Sequence, residues 1–490
     1  MPKEMKSHQD IHDYIVALES DFPVEMWSIG RVHVWPYLRI KIYYALIHQV
    51  EGTSTLKPER IVQKRNSLFK RWKVNFFQLL YYTKITQRSI VQSVMFATIS
   101  VYRVPYEGKL FHRFFDTMIK SHQLKRKMAI IEMQGVKPNS YNSANLIDGI
   151  RLRNGYRLLK STFYLLSKNK EFDNIYNLTN YDLFLNRLSK DIASTANLYF
   201  DKESLIMWAK KIRTNSIVYK KLFKSRNVQR FITISYYGYD DMAAALLAAN
   251  DLGIESVDFQ HGPQTNVHMA YNSWTKIPGS GFNTMPKVYW CWDKISRDSI
   301  RLWWKKSSGS KCVGHPWLAI NQNHINTEKR CDFLYTLQLI KESNLDYFFS
   351  EHLLKLMRLN GYFWILRTHP RNTYQIDMIQ EFLEVNNVPS SHYCIEHPSK
   401  SPLAVLLNAC EVHITNYSGC VVEANLLKKK TIIIDKTGYL FFKDYFESNL
   451  INFLDKHQAD FVDRALKIHS SKEVIEEKLN LKVYNPINGL

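Results

Sequence analysis

Five short polar stretches of the 490-residue chain bring together residue types that can do chemistry. His261-Gly262-Pro263-Gln264 offers an imidazole, which titrates near neutrality and can take a proton from an attacking hydroxyl. Gly262 lets a ligand approach the backbone, and Gln264 adds an amide. Tyr236-Tyr237-Gly238-Tyr239 supplies phenolic hydroxyls. Arg367-Thr368-His369-Pro370-Arg371 brackets a second imidazole with two cations, which would keep it neutral and attract phosphate. Pro370 shapes that loop, and an N–H of His369 could then stabilise charge on a departing phosphate. Asn416-Tyr417-Ser418-Gly419 opens an expected helix, where a hydroxyl and the first free backbone N–H groups make an anion site. Glu423, about one and a half turns into that helix, could accept hydrogen bonds from ribose hydroxyls. Asp435-Lys436-Thr437-Gly438 is the fifth stretch.

Each stretch directly follows a short apolar run, so the elements that must position them are buried strands. Runs over 94–99, 128–131, 231–235 and 254–260 lie in the first half of the chain. Others over 332–337, 362–366, 392–395, 411–415 and 431–434 lie in the second. Helical stretches are expected between them, at 243–252, 346–360, 375–385, 402–410 and 420–428. Asp240 and Asp241 are expected as caps, with Gly253 and Gly361 as stops. Strand–helix alternation of this kind predicts doubly wound parallel sheets. In such sheets ligands bind beyond the carboxyl ends of the strands, where all five stretches fall. The expected organisation is a helical preface at 1–85, a Rossmann-like domain at 86–300, a linker at 301–330 and a second Rossmann-like domain at 331–490. In the preface, Pro36 should open a helix with its stripe on Leu38, Ile42, Leu46 and Val50, ending at Gly52. Residues 262–286 read as a long loop.

Composition narrows the chemistry. Hydrophobic residues make up 45% and charged residues 23%, an ordinary globular balance. No apolar run is long enough for a membrane span, and Met1 to Asp21 reads as neither a secretory signal nor a transit peptide. Cys291, Cys312, Cys331, Cys394, Cys410 and Cys420 show no C-x-x-C pairing, which suits a reducing cytoplasm. The net charge of +21 favours an anionic partner. Between Lys57 and Lys73, Lys57, Arg60, Lys64, Arg65, Lys70, Arg71 and Lys73 face a lone Glu59, interleaved with Leu68, Phe69 and Trp72. With Phe76, Phe77, Leu79, Leu80, Tyr81 and Tyr82 following, residues 57–82 suit the surface of an anionic membrane. No D-x-D, Walker loop or G-x-S-x-G elbow occurs, so no metal site is expected and ATPase or serine-hydrolase chemistry is disfavoured. No nucleic-acid module is present, so no nucleic-acid partner is expected.

Phe259-Gln260-His261-Gly262, Val313-Gly314-His315-Pro316, Arg367-Thr368-His369-Pro370 and Thr415-Asn416-Tyr417-Ser418-Gly419 through Glu423-Ala424 follow one another in this order. The series resembles bacterial GT-B glycosyltransferases of capsule and surface-polysaccharide synthesis, and the related polyol-phosphate polymerases of teichoic acid synthesis. It covers about residues 93 to 450. The resemblance implies a GT-B-like fold, two Rossmann-type domains facing a cleft whose closure excludes water. It implies sugar transfer from a nucleotide-sugar, a substrate and not a cofactor, to a lipid-linked glycan acceptor. The enzyme would be metal-independent, cytoplasmic and peripheral to the inner face of the cell membrane. His261 and His369 would be catalytic. Arg367, Pro370, Arg371, Asn416, Ser418, Gly419 and Glu423 would bind the donor; Tyr236, Tyr237, Gly262 and Gln264 would lie on the acceptor side. A second serine or threonine often adjoins the first in these families, and Gly419 stands there in this chain. The rival readings are a CDP-polyol phosphotransferase, a non-catalytic anion- or lipid-binding protein, and, more distantly, a sugar-nucleotide epimerase of similar fold.

Overall fold

The computed structural model describes residues 5–50, 68–87, 90–136, 140–141, 145–164, 175–192, 200–264, 266–321, 328–338, 344–370, 376–471 and 481–490. The chain divides into two compact units. One comprises Met1–His261, Val267–Val313 and Tyr484–Leu490; the other comprises Gly262–Asn266 and Gly314–Val483.

The first unit is built on seven parallel strands. Across the sheet they run Ser310–Cys312, Val288–Cys291, Glu255–Phe259, Arg230–Ile234, Val94–Thr98, Met128–Glu132 and Leu146–Asp148. Val94–Thr98, Met128–Glu132 and Arg230–Ile234 are buried at every position, as continuous apolar runs in a parallel sheet require. The strand order reverses between Val94–Thr98 and Arg230–Ile234, so the crevice beyond their carboxyl ends is where a ligand is expected. Residues 99–102 and 235–239 flank that crevice.

Between Arg230–Ile234 and Glu255–Phe259 runs the helix Asp240–Asp251, completing the expected βαβ unit. Gly253 ends it at φ +70°, and the Ile254 N–H reaches the Ala249 carbonyl at 3.0 Å. Asp240 and Asp241 are not caps. Tyr239 precedes the helix without a side-chain cap, and both aspartates sit in the first turn, where the helix dipole favours them. Asp240 accepts from Trp208 Nε1 at 2.9 Å, and Asp241 pairs with Arg153 at 3.1 Å.

The preface folds into the first unit. Its helices are His8–Asp21, Trp35–Val50 and Leu68–Gln87, with Pro36 second in its helix. Leu38, Ile42 and Leu46 are buried as expected, while Val50 is half-buried. A fully buried pair, Arg39 and Glu19 at 3.2 Å, joins the first two helices. Glu19 also accepts from Trp35 Nε1 and the Thr275 N–H, both at 2.8 Å, and Arg39 donates to the carbonyls of Asn272 and Ser273. These bonds satisfy Glu19 and the Arg39 Nη2, while Arg39 Nη1 has no hydrogen bond among the described residues and the guanidinium lies over the Trp274 ring at 4.0 Å. The helix Leu68–Gln87 packs on Gly149–Tyr164 where buried Tyr82 lies 5.8 Å from the Tyr156 ring and where Gly155 leaves no room for a Cβ against Gln78 and Tyr82. Gly52 and basic residues 57–67 lie outside the described residues. Among the described helices none is long and apolar enough to cross a membrane.

The second unit carries six parallel strands in the order Tyr393–Glu396, Trp364–Arg367, Cys331–Thr336, Cys410–Thr415, Lys430–Ile433 and Asn452–Phe453. Its reversal lies between Cys331–Thr336 and Cys410–Thr415, which places residues 337–338 and 416–418 at the ligand-binding position. The helix expected over 346–360 is two: Leu345–Phe348, and Glu351–Arg358 capped by Ser350. Phe333 stacks on Trp364 at 4.5 Å in the core. Both sheets are doubly wound and Rossmann-like, the fold class the sequence led us to expect.

Candidate functional site

In the first unit the site grows out of one strained turn. Ser235 follows Arg230–Ile234 with φ +58°, a left-handed conformation uncommon for a residue with a side chain. The turn closes with the Gly238 N–H on the Ser235 carbonyl at 2.9 Å. Asp258, fully buried at the end of Glu255–Phe259, holds it in place. One carboxylate oxygen accepts from the Tyr236 N–H and from Thr233 Oγ1, each at 3.1 Å. The other accepts from the Tyr271 hydroxyl at 2.8 Å. The Tyr271 oxygen in turn faces His261 Nδ1 at 3.4 Å. With its proton committed to Asp258, Tyr271 is left an acceptor, so the network assigns Nδ1 the ring proton and leaves Nε2 of His261 a lone pair.

Burial pushes the Asp258 carboxyl up to about 7, against the hydrogen bonds that favour its charge. Burial, then His268 and Arg113, push His261 down to about 3, so it is neutral at pH 7. Tyr102 stands edge-on to the His261 ring at 5.4 Å, and Tyr237 lies at 6.2 Å. The Tyr237 hydroxyl meets His268 Nε2 at 3.2 Å. A neutral imidazole with a defined tautomer, placed beyond a strand end, offers a lone pair to a hydroxyl. Because burial disfavours its protonated form, it accepts a proton only where the ionised Asp258, acting through Tyr271, stabilises the imidazolium.

In the second unit the turn 416–419 lies at the strand-order reversal. Ser418 Oγ accepts from the Cys420 N–H at 3.3 Å, and the Ser418 N–H bonds Thr415 Oγ1 at 3.2 Å. With its amide oxygen turned toward this turn, Gln338 accepts from the Tyr417 and Ser418 N–H groups at 3.1 and 2.6 Å. The N–H groups of Val421 and Val422 go to the Ser418 and Gly419 carbonyls. Most of the expected free N–H groups, those of Tyr417, Ser418, Cys420, Val421 and Val422, therefore already have acceptors, supplied by Gln338, Thr415, Ser418 and Gly419. A phosphate arriving there has to displace the Gln338 oxygen. Cys420 is no nucleophile, since burial raises its thiol to about 11.

No protein-family profile matches the sequence, and no curated protein matches it. Solved structures with related topology include the UDP-GlcNAc 2-epimerase from Neisseria meningitidis bound to UDP-GlcNAc: 9% identity, TM-score 0.42, covering 76% of this chain and 90% of that one. The Methanocaldococcus jannaschii UDP-GlcNAc 2-epimerase, in complex with UDP-GlcNAc and UDP, gives 11% and 0.41 over 80% and 95%. The wall teichoic acid polymerase TagF gives 10% and 0.38 over 82% and 88%. At these values the likenesses carry no argument about what this chain binds or makes.

The remaining candidates fall as follows. His369 is half-buried and Pro370 exposed, beside Thr368, whose buried hydroxyl has no hydrogen-bond partner among the described residues. Arg371 lies outside the described residues. Arg367 spends its guanidinium on the carbonyls of Ser401 at 2.7 Å and Pro398 at 3.4 Å, tying down the neighbouring loop. Asn416 does not face a ligand. It is fully buried, bonded to the Tyr335 hydroxyl at 3.1 Å and to Lys456 Nζ at 3.2 Å, because the chain turns inward as it leaves its strand. Gly419 has a steric reason: a Cβ there would meet Pro263 Cδ at 2.8 Å, so a hydroxyl-bearing side chain has no room at this position. Glu423 faces His315 Nε2 at 3.5 Å, and its charge acts on Arg367. Tyr236 is buried, its hydroxyl on the Ala270 carbonyl, and Gln264 is nearly so. Gly262 has open space around its α-carbon. Sequence reasoning missed Asp258, Tyr271, His268 and Gln338. For Asp258 one signal existed, a lone carboxylate inside an otherwise uncharged strand end, Ser256-Val257-Asp258-Phe259.

Proposed function

We propose that this chain is a glycosyltransferase that moves a sugar from a nucleotide-sugar donor onto a growing surface-polysaccharide acceptor. The observation that carries the reading is His261: a neutral imidazole beyond a strand end, its Nδ1 against Tyr271 and Tyr271 against buried Asp258. Nε2 deprotonates the acceptor hydroxyl as it attacks the anomeric carbon; the bond to the nucleotide phosphate breaks, and its charge leaves with the nucleotide. The donor phosphates are received at the His369 loop and the Ser418 turn, the second unit's own strand-order reversal. No divalent ion takes part.

The acceptor is membrane-linked in this reading, and the support is the helix Leu68–Gln87. Its first half exposes Trp72, Phe76 and Phe77, with Trp72 at 66% and the Trp72 and Phe76 rings parallel at 5.7 Å. Aromatic side chains beside a basic segment suit the headgroup region of an anionic bilayer.

Thermal-shift titration with UDP-, CDP-, CMP- and GDP-linked sugars tests the proposal. A ligand at a hundred times its Kd stabilises the fold by about 2.7 kcal/mol, so one nucleotide family should raise the melting midpoint by several degrees. With that donor the product should carry a new glycosidic bond. A new phosphodiester would replace the reading with polyol-phosphate transfer, and no response to any nucleotide would end both.

A further inference from the structure

Beside His261, within the first unit, lies a cleft that this mechanism does not use. One wall is the preface helix Trp35–Val50 with Tyr37, Ile40 and Lys41; the other is the turn from Tyr236 to Asp240, with Trp208 at its base. We propose that this cleft is a subsite for one pyranose ring of the glycan acceptor. The proposal rests on the transferase reading and adds the preface to the acceptor site.

Position is the first argument. The cleft opens beyond the carboxyl end of Arg230–Ile234, one of the two strands at the reversal of strand order, where α/β sheets take their ligands. Its chemistry is the second. A pyranose has apolar C–H faces and a rim of hydroxyls, so it needs flat aromatic walls with a few fixed polar groups between them. Tyr37 and Trp208 stack face to face at 4.3 Å and 25°, each covering one ring face of the other, so they enter the cleft lining as one rigid aromatic pair. Trp208 is locked by its Nε1 bond to Asp240, and Tyr237 by its bond to His268. Held rings lose little freedom when a sugar arrives. Exposed Lys41 and half-buried Asp240 supply the polar rim.

Size is the third argument. The cleft holds about 510 Å³ of empty space, part of it open to solvent. That is ample for one sugar ring and lies within the range of small-molecule pockets. The fourth is adjacency: Tyr237 lines the cleft and contacts the His261 ring, so a sugar seated there lies next to the proposed base.

The test uses the full chain and methyl glycosides of glucose, galactose and N-acetylglucosamine, read by saturation-transfer NMR. At least one glycoside should receive magnetisation from the protein. Tyr37→Ala and Tyr239→Ala should each weaken its binding about fivefold, the scale of one lost aromatic contact. Tyr239 is 40% exposed, so that variant keeps the test valid if Tyr37→Ala unfolds. Both should leave the nucleotide-induced thermal shift unchanged. Glycoside binding that is as tight in both variants as in the wild type, or no contact with any glycoside, overturns the subsite. The two readings fail separately: glycoside binding without any nucleotide response keeps the subsite and removes the transferase. Sugar transfer without glycoside contact does the reverse.

Discussion

Asp258→Asn is the substitution that probes the site most sharply, because it changes charge and leaves shape almost untouched. In the wild type Asp258 accepts three hydrogen bonds, and the Tyr271 proton is one of them. An asparagine keeps its oxygen on Thr233 and the Tyr236 N–H, and turns its NH₂ toward Tyr271. The Tyr271 hydroxyl must then donate elsewhere, and His261 Nδ1 is its neighbour at 3.4 Å. That forces the ring proton onto Nε2, and a base with a protonated Nε2 cannot take the acceptor's proton. The expected loss of turnover is between about 10² and 10⁴-fold, the range for removing a general base or fixing its wrong tautomer. The pH profile gives a second number. Asp258 titrates at about 7, its surroundings being Tyr236, Tyr271, Tyr289, Tyr102 and Cys291, all held neutral by burial. His261 at about 3 does not change state in this range. Between pH 6 and 8 the ionised fraction of Asp258 rises from about 10% to about 90%, so wild-type turnover should climb roughly ninefold and the Asn variant should stay flat. Stability has the opposite sign. A carboxyl raised from 3.8 to about 7 holds its proton longer in the folded chain. Its stabilisation is therefore complete below about pH 4 and is lost as pH rises through 7, on the order of 4 kcal/mol in all. Asp258→Asn should gain on the wild type across that interval in urea titrations. The ¹⁵N shifts of His261 report the tautomer without any substrate. An Nε2–H tautomer in the wild type, or an Asn variant with the full pH rise, refutes the reasoning.

Three further outcomes follow from the packing. Gly419→Val drives its side chain into Pro263 and should cost about 1–3 kcal/mol, seen as a lower urea midpoint with an unchanged slope. Lys456→Met leaves Asp435, 3.3 Å from the ammonium, and Asn416 without their buried partner, and should cost about 3–5 kcal/mol in the same experiment. Replacing Trp72, Phe76 and Phe77 together by serine should cut co-sedimentation with anionic vesicles at least about tenfold while the melting midpoint stays put, since all three are exposed; unchanged sedimentation removes the membrane from the account.

Most of the central strands were readable in the sequence because a strand buried on both faces is largely apolar. Phe231 to Ser235 was expected and Arg230–Ile234 is observed; Glu411 to Thr415 was expected and Cys410–Thr415 is observed. The edge strand Tyr393–Glu396 was expected at 392–395, but the interior strand Val288–Cys291 and the edge strands Leu146–Asp148, Ser310–Cys312 and Asn452–Phe453 escaped. Ser310–Cys312 and Asn452–Phe453 are two or three residues long and carry no apolar run. So did the return of the last residues to the first unit, where Arg230 reaches the Pro486 and Asn488 carbonyls. At the site, the placement of His261 and Ser418 beyond strand ends was legible, but what their neighbours do was not. Tyr271 reaches Asp258 across a loop with no period, and Gln338 reaches Ser418 from another strand end. Asn416 points inward because of the turn geometry after its strand, which residue type does not encode.

The account stands or falls on His261 as the base in sugar transfer. Turnover of the His261→Ala chain with the donor found by thermal shift measures this directly. The account predicts a loss of at least about a hundredfold at an unchanged melting midpoint; transfer at close to the wild-type rate would contradict it.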